Sequence, residues 1–544
     1  MKYLRSSAAL AGATLVSYVA ATVTMKMTRG PNLNRRNLAA RDSITAVLNN
    51  NITGGSYYVE VNVGSPGQKQ TMALDTGSSD VWLLSSMADL CTSAFLQGFL
   101  DDGCASTFDH NTSSTYKLDK QGRFSIRYLD QSGASGDYIS DVFQIGGKTL
   151  KTLEMGLAYK STVGTGLIGI GYSLNEASDA RNSPSPFVYP SIIDTMLSQG
   201  LIDRRAYSLY LNDLDASTGS IIFGGLDADK YQGNLLHMPV VPTRLSNGSS
   251  LYYDLGVALT SFGITGQHGN TVNLTSTGFK EVAILDSGTK ITLLPTSIVA
   301  NMYHKIGAVD DTNGTGLVFI DCAILKQSPD LTFNYGFGNH SGRSIVVPIN
   351  EVVFDVKDYL SDPDTKLPPL PFKNPCAFGI YDGGSTGPYL LGDTFLRSAY
   401  VVYDLDDNVI AIAQTNFNSC SSSLVEFRAN ETGIPRISGV ASSVRLPGTG
   451  GGKTTTRAEG TEAASATGLV TTNSDGVLTG SIIVATKATA KAMTTVTATS
   501  VGISTASQSK EATAGSVSVF NANEFVVLGI AGVCAVLGGE WFIS

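Results

Sequence analysis

The chain has 544 residues, a hydrophobic content of 42%, 22 Tyr and 21 Phe, and a formal charge of -9. That length holds two or three domains, and the apolar and aromatic content suits a substantial β-rich core. The acidic balance and the lack of a basic stripe argue against a nucleic-acid partner.

Residues 1–21 read as a secretion signal, with Lys2 and Arg5 ahead of an apolar, small-residue run too short for a spanning helix. Residues 22–45 are basic, with Lys26, Arg29, Arg35, Arg36 and Arg41. They fit either an unstructured N-terminus or a segment removed on activation. From Tyr57 to Val63 apolar and polar residues alternate, which predicts a half-buried strand, and Gly64-Ser65-Pro66-Gly67 turns it. An apolar strand then runs into Asp75-Thr76-Gly77-Ser78-Ser79-Asp80 and returns to Val81-Trp82. An Asp and a Gly after a strand mean, by themselves, only a tight turn. Phe124 to Tyr128 followed by Leu129 to Gly136 reads as a hairpin, and Gly166-Leu167-Ile168-Gly169-Ile170 as a short apolar strand. Pro190–Gln199 is a candidate helix, and Pro239 to Pro242 looks like a crossing between two lobes.

A second copy of the first turn follows. Val282 to Leu285 runs into Asp286-Ser287-Gly288-Thr289, and a later apolar run, Tyr389-Leu390-Leu391-Gly392-Asp393, matches Gly166–Ile170 at a similar offset. One design used twice predicts two lobes that each supply a carboxylate to a shared site. Ser297–Ile306 is a second candidate helix. Short strands with Gly and Pro turns recur to residue 420, with Tyr400 to Asp404 and Val409 to Ala413 last, so the body is all-β or β-dominated. Asp404 to Asn408 reads as a turn, not a calcium loop.

Gly383-Gly384-Ser385-Thr386-Gly387 fits the G-x-S-x-G pattern of serine hydrolases. That motif needs a strand, turn and helix, and Pro388 followed by Tyr389-Leu390-Leu391 predicts another strand instead. The five histidines are scattered, so no helical zinc site is visible and no cofactor is implied. Secretion permits disulfides; spacing suggests Cys91 with Cys104 and Cys322 with Cys376, and leaves Cys420 without a partner. Seven Asn-x-Ser/Thr triplets, at Asn51, Asn111, Asn247, Asn273, Asn313, Asn339 and Asn430, support a glycosylated surface.

Past residue 420 Ser, Thr, Ala and Gly dominate, and no aromatic occurs between Phe427 and Phe520. Residues 421–515 bury too little apolar surface to offset chain entropy and read as a disordered, O-glycosylated stalk. In 516–544, the apolar run Phe525 to Leu537 is shorter than the roughly 20 residues of a spanning helix. With Ala514-Gly515-Ser516 upstream, it matches a GPI-anchor signal that is removed.

The paired Asp-hydroxyl-Gly turns and their apolar partners resemble the pepsin-like aspartic proteases, and with the stalk and anchor the chain is similar to the fungal yapsin and candidapepsin enzymes. The resemblance implies a bilobal β fold, with lobes at 46–238 and 239–420, a cleft between them and no cofactor. It implies a secreted, GPI-anchored, monomeric endopeptidase acting on proteins or peptides, with residues 22–45 as a pro-segment. The catalytic pair would be Asp75 and Asp286. Thr76 and Ser287 would brace the opposing loops, Gly77 and Gly288 would let the turns approach, and Ser78 and Thr289 would hydrogen-bond the outer carboxylate oxygens and favour ionisation. The hairpin would be the flap over the substrate, with Tyr128 bonded to Trp82. Asp130, with Asp101 and Asp102 of the Cys91–Cys104 loop, is compatible with a preference for basic substrate residues. Two close carboxylates share one proton: the ionised member activates water, and the protonated one polarises the scissile carbonyl. A cell-wall mannoprotein that keeps this fold without activity is the alternative, although both turns are intact.

Overall fold

The computed structural model describes residues 43–428 apart from 52–55, 98–102, 180–185, 217, 245–248, 267–268, 339–343 and 360–365, together with 434, 471–472 and 478–479. The secretion signal, the basic segment up to residue 42, Asp101, Asp102, Asn247, Asn339, Asn430, Cys534, the anchor signal and nearly all of the stalk lie outside the described residues. Within the stalk, Thr471–Thr472 pairs with Leu478–Thr479.

Strands dominate, as the alternating pattern predicts. Tyr57, Val59, Val61 and Val63 of the strand Ser56–Val63 are buried while Glu60 and Asn62 are exposed. One sheet of thirteen described strands begins with Tyr231–Pro239, Val409–Thr415, Ala399–Asp404, Ala206–Tyr210, Thr218–Phe223 and Ile44–Asn51, then continues into the N-terminal lobe. The first three of these come from the end of the N-terminal lobe and from the C-terminal lobe, so the chain does not divide cleanly at 238/239. Strands from both parts share one ladder, and the lobes are joined by backbone hydrogen bonds. A second sheet of eight strands carries the C-terminal lobe, built on Gly256–Thr265, Glu281–Leu285 and Tyr389–Leu391.

Two boundaries move. The body's first strand starts at Ile44, inside the stretch read as the basic segment, because buried Ile44, Ala46 and Leu48 pack into the core. At the other end the body runs past 420. Leu424–Glu426 pairs with Gly225–Asp227, and Phe427 and Ile434 are buried against Leu226, Leu235, Tyr400 and Val402. A few apolar side chains suffice to dock a segment whose composition already looks like stalk.

Both candidate helices form. Ile192–Ser198 starts at a capping box in which Ser191 and Asp194 satisfy each other's amides. Thr296–Ile306 buries Ile298, Val299, Met302 and Tyr303 and ends at Gly307 in the left-handed conformation. The Asp404–Asn408 turn is filled by cations from its own chain: Arg204 Nε lies 3.0 Å from both Asp404 carboxylate oxygens, and Arg205 Nε lies 2.6 Å from Asp406. The disulfides Cys91–Cys104 and Cys322–Cys376 are present, and Cys420 is a free, exposed thiol. Asn111, Asn273 and Asn313 are exposed.

Candidate active site

Two crossed strand motifs position the acidic turns. Strand Gln68–Asp75 lies parallel to Gly166–Gly169, with Asp75 opposite Gly169, and Val81–Leu84 returns antiparallel on the other side. Glu281–Leu285 lies parallel to Tyr389–Leu391, and Thr292–Leu294 returns antiparallel. Each turn therefore leaves the centre of a sheet whose neighbours are fixed on both sides. The apolar runs noted in the sequence are those neighbours.

The turns meet. Thr76 Oγ1 donates to Leu285 O at 2.7 Å and accepts from Ser287 N at 2.9 Å. Ser287 Oγ donates to Leu74 O at 2.9 Å and accepts from Thr76 N at 3.2 Å. Each hydroxyl thus closes both a donor and an acceptor of the opposite turn, all of them buried. Ser287 makes this set of bonds with no need of a threonine methyl.

Asp75 and Asp286 are almost fully buried and lie on either side of Gly288, close enough for each to perturb the other's titration. Their outer surroundings correspond: Gly77 N donates to Asp75 Oδ1 at 2.7 Å and Gly288 N to Asp286 Oδ1 at 2.8 Å. Ser78 Oγ donates to Asp75 Oδ2, and Thr289 Oγ1 to Asp286 Oδ2 at 2.6 Å. The need for glycine is visible at Gly288, where an added Cβ would lie 2.5 Å from Asp75 Oδ1 and 3.1 Å from Asp286 Oδ1.

The electrostatic expectation changes in one respect. The hydroxyl and amide donors do favour ionisation, but burial outweighs them and both carboxyls titrate above the ordinary aspartate range. Asp286 lies well above it, because the charge of Asp75 adds to the effect of burial. The pair holds a proton at a pH where separate, exposed aspartates would have lost theirs. Such a pair can take a proton from water at one carboxylate and donate a hydrogen bond from the other.

The hairpin consists of Lys117–Arg127 and Gly133–Ile145. Trp82 Nε1 donates to Tyr128 Oη at 2.9 Å, inside an apolar cluster with Phe124, Tyr138 and Tyr189. Asp130 is mostly occupied within the turn: its Oδ1 accepts from Ser132 N at 2.9 Å and from Ser132 Oγ at 2.6 Å. Burial raises its pKa. Ser385 is exposed on the turn between Ile380–Asp382 and Tyr389–Leu391, with a strand after it rather than a helix.

Sequence reasoning passed over the layer behind the turns. Asp80 accepts from Tyr189 Oη at 2.8 Å, Tyr138 Oη at 3.3 Å and Ala177 N at 2.7 Å. Glu176 accepts from Tyr189 N at 3.0 Å through Oε2, and its buried Oε1 has no partner among the described residues. Behind Asp286, Lys290 and Asp393 are both buried. Asp80 and Lys290 stood in view beside the motifs, but an acid or base next to a turn does not reveal its burial.

The sequence profile described as eukaryotic aspartyl protease matches residues 56–415. The probable aspartic-type endopeptidase opsB of Aspergillus oryzae is 35% identical over 402 residues, covering 72% of this chain and 76% of its own. An acid protease of Saccharomycopsis fibuligera is 35% identical over 385 residues, covering 70% and 87%. Secreted aspartic protease 8 of Candida albicans is 32% identical over 370 residues, covering 68% and 78%.

Proposed function

This chain belongs to the eukaryotic aspartyl protease family and is an aspartic-type endopeptidase; from that premise we propose that Asp75 and Asp286 are its catalytic pair. The observation that carries this reading is the burial of two carboxylates close together on turns that brace each other through Thr76 and Ser287. The pair shares one proton in the resting enzyme, since burial pushes both carboxyls up and the two charges repel each other. A water between the carboxylates gives its proton to the ionised member and attacks the peptide carbonyl, whose oxygen receives a hydrogen bond from the protonated one. The new C–O bond forms as the carbonyl π pair moves to oxygen. Proton transfer to the amide nitrogen then lets the C–N bond break.

The hairpin with Tyr128 at its base is the flap, and the Trp82 bond fixes the tyrosine hydroxyl. Substrates are proteins or peptides, with a preference for basic side chains supported by the carboxylate of Asp130 in the hairpin turn. The signal-like N-terminus, the two disulfides and the similarity to a secreted protease support passage through the secretory pathway. Residues 22–43 act as a pro-segment, 435–515 as a stalk, and the tail directs a GPI anchor to the membrane or wall.

The test is peptide cleavage from pH 3 to 7 with and without pepstatin, after removal of the N-terminal basic segment. Acid-favoured, pepstatin-blocked cleavage that disappears in Asp75→Asn is the expected result. Cleavage that survives Asp75→Asn would sink the proposed pair, and its loss in Ser385→Ala instead would point to the G-x-S-x-G turn.

A further inference from the structure

The tip of the hairpin is held from the side by a residue that no motif marks. Gly133 opens the second strand, immediately after the turn in which Tyr128 N donates to Ser132 O at 2.9 Å. Gly133 N donates to Thr162 Oγ1 at 2.9 Å. Gly133 O accepts from Thr162 N at 3.0 Å and from Thr162 Oγ1 at 3.2 Å. One threonine therefore occupies both polar backbone groups of the residue next to the tip. The approach is tight: a Cβ at Gly133 would lie 2.3 Å from Ile126 O on the opposite leg.

Thr162 is anchored in turn to the disulfide-closed loop. Ser161 N donates to Asp89 Oδ1 at 3.3 Å, and Ala105 N donates to Gly164 O at 2.8 Å. Asp89 and Ala105 flank the Cys91–Cys104 bridge. Between these anchors Ser161 Oγ donates to Val163 O at 2.7 Å, which stiffens the connector, and Val163 is buried in the cluster that holds Trp82, Tyr128 and Ala134. A continuous chain of bonds thus runs from the disulfide loop through 161–164 to the hairpin tip.

We infer that Thr162 is a positioning residue for the flap, clamping Gly133 and coupling the flap to the Cys91–Cys104 loop. The inference rests on the proposed reading of the hairpin as the flap. A threonine that bonds a neighbouring strand is ordinary as a ladder end. What sets this one apart is its place: Gly133 directly follows the five-residue turn that Tyr128 and Ser132 close, so a shift of the first is passed to Tyr128 and to its bond with Trp82. Small misplacements of groups that contact substrate weaken binding and catalysis out of proportion to their size.

The experiment uses the chain after removal of the N-terminal basic segment and with Trp541→Phe, which leaves Trp82 as the only tryptophan. In Thr162→Val the shape is kept and the hydroxyl is lost. KM for an eight-residue peptide is expected to rise about fivefold with kcat within about twofold, and Trp82 emission to become more accessible to acrylamide, while Thr162→Ser restores both. A folded Thr162→Val with unchanged KM and quenching overturns the inference. Should that variant not fold, Asp89→Ala removes the connector's far anchor: a KM raised about twofold supports the coupling and an unchanged KM overturns it. Tyr128→Ala, run alongside, separates the two readings. If it leaves KM and kcat unchanged, the flap reading falls; if it impairs them and Thr162→Val does not, only the role of Thr162 falls.

Discussion

The two acidic turns are nearly equivalent in their inner contacts and unlike in what lies behind them. Gly77 and Gly288, Ser78 and Thr289, Thr76 and Ser287 make corresponding bonds. One layer out, Asp80 behind Asp75 is matched by Ile291 behind Asp286, and Asp393 follows Gly392 where Ile170 follows Gly169. The N-terminal side buries two carboxyls among tyrosines, Asp80 and Glu176, with three donors on Asp80. The C-terminal side buries Asp393 near the cations Lys290 and Arg397, and Arg397 pairs with Glu351 at 2.6 Å. Local motif duplication sets the geometry of the pair. The field around it comes from unrelated segments, and it is not symmetric.

The sharpest way to break the inner equivalence is to remove a charge from it. Asp75→Asn or Asp286→Asn should each lower kcat by at least about 1,000-fold, since one carboxylate cannot act as both base and acid. A melt and Trp82 emission like those of the unmodified chain would show that the fold survived. A variant with a tenth of the activity would mean that the two turns are not a catalytic pair. Next in size is the brace. Thr76→Val leaves Ser287 N and Leu285 O buried without their partner, at a cost of about 2–4 kcal/mol in urea unfolding. Ser287→Thr keeps the donor and should change stability by less than about 1 kcal/mol. Equal losses in the two would show that packing, not the crossed hydrogen bonds, holds the turns together.

What was legible in the sequence follows the same division. The turns at Asp75 to Ser78 and Asp286 to Thr289 could be read because their mutual bonding needs fixed residue types at fixed spacing in one short stretch. The hairpin and both helices could be read from local patterns of the same kind, and the two disulfides from the number and order of the cysteines. Glu176, Asp393 and Thr162 could not, since their roles depend on burial and on contacts with residues far away in the chain. That strands from both sides of 238/239 share one sheet could not be read either, because no local pattern reveals which distant strands pair. The end at 420 failed because composition averages over a window, whereas docking needs only Val425, Phe427 and Ile434.

The outer layer makes a separate prediction about pH. Burial pushes the Glu176 carboxyl up to about 10 from an ordinary 4.5, with Asp80, Asp194 and Glu154 adding to the push. Folded Glu176 then keeps a proton that the unfolded chain releases, so folding takes up a proton above pH 4.5. Its contribution is full below that pH and is lost as pH rises toward 10. Between pH 5 and 7 the loss is about 2 kcal/mol from this group. Glu176→Gln should flatten the decline in urea midpoint over that range. An unchanged decline would place its origin elsewhere, and Asp80, also raised by burial, would be the next group to replace.

The smallest expected effect concerns Asp130, which belongs to the N-terminal side through the hairpin. Its attraction for a basic substrate side chain exists only when it is ionised, and burial raises its pKa above the ordinary 3.8. Preference for lysine over leucine at the cleavage site should therefore be weak at pH 3 and grow as pH rises through the raised pKa. In the unmodified enzyme the ratio of kcat/KM for the two peptides is expected to increase about fivefold between pH 3 and 6, roughly 1 kcal/mol for one partly screened pair. Asp130→Asn retains the oxygen that accepts from Ser132, so the turn keeps its shape while the charge is gone, and the ratio should stay flat with pH. A ratio that still rises in Asp130→Asn would move the preference to other carboxylates, of which Asp101 and Asp102 in the disulfide loop are the first to test.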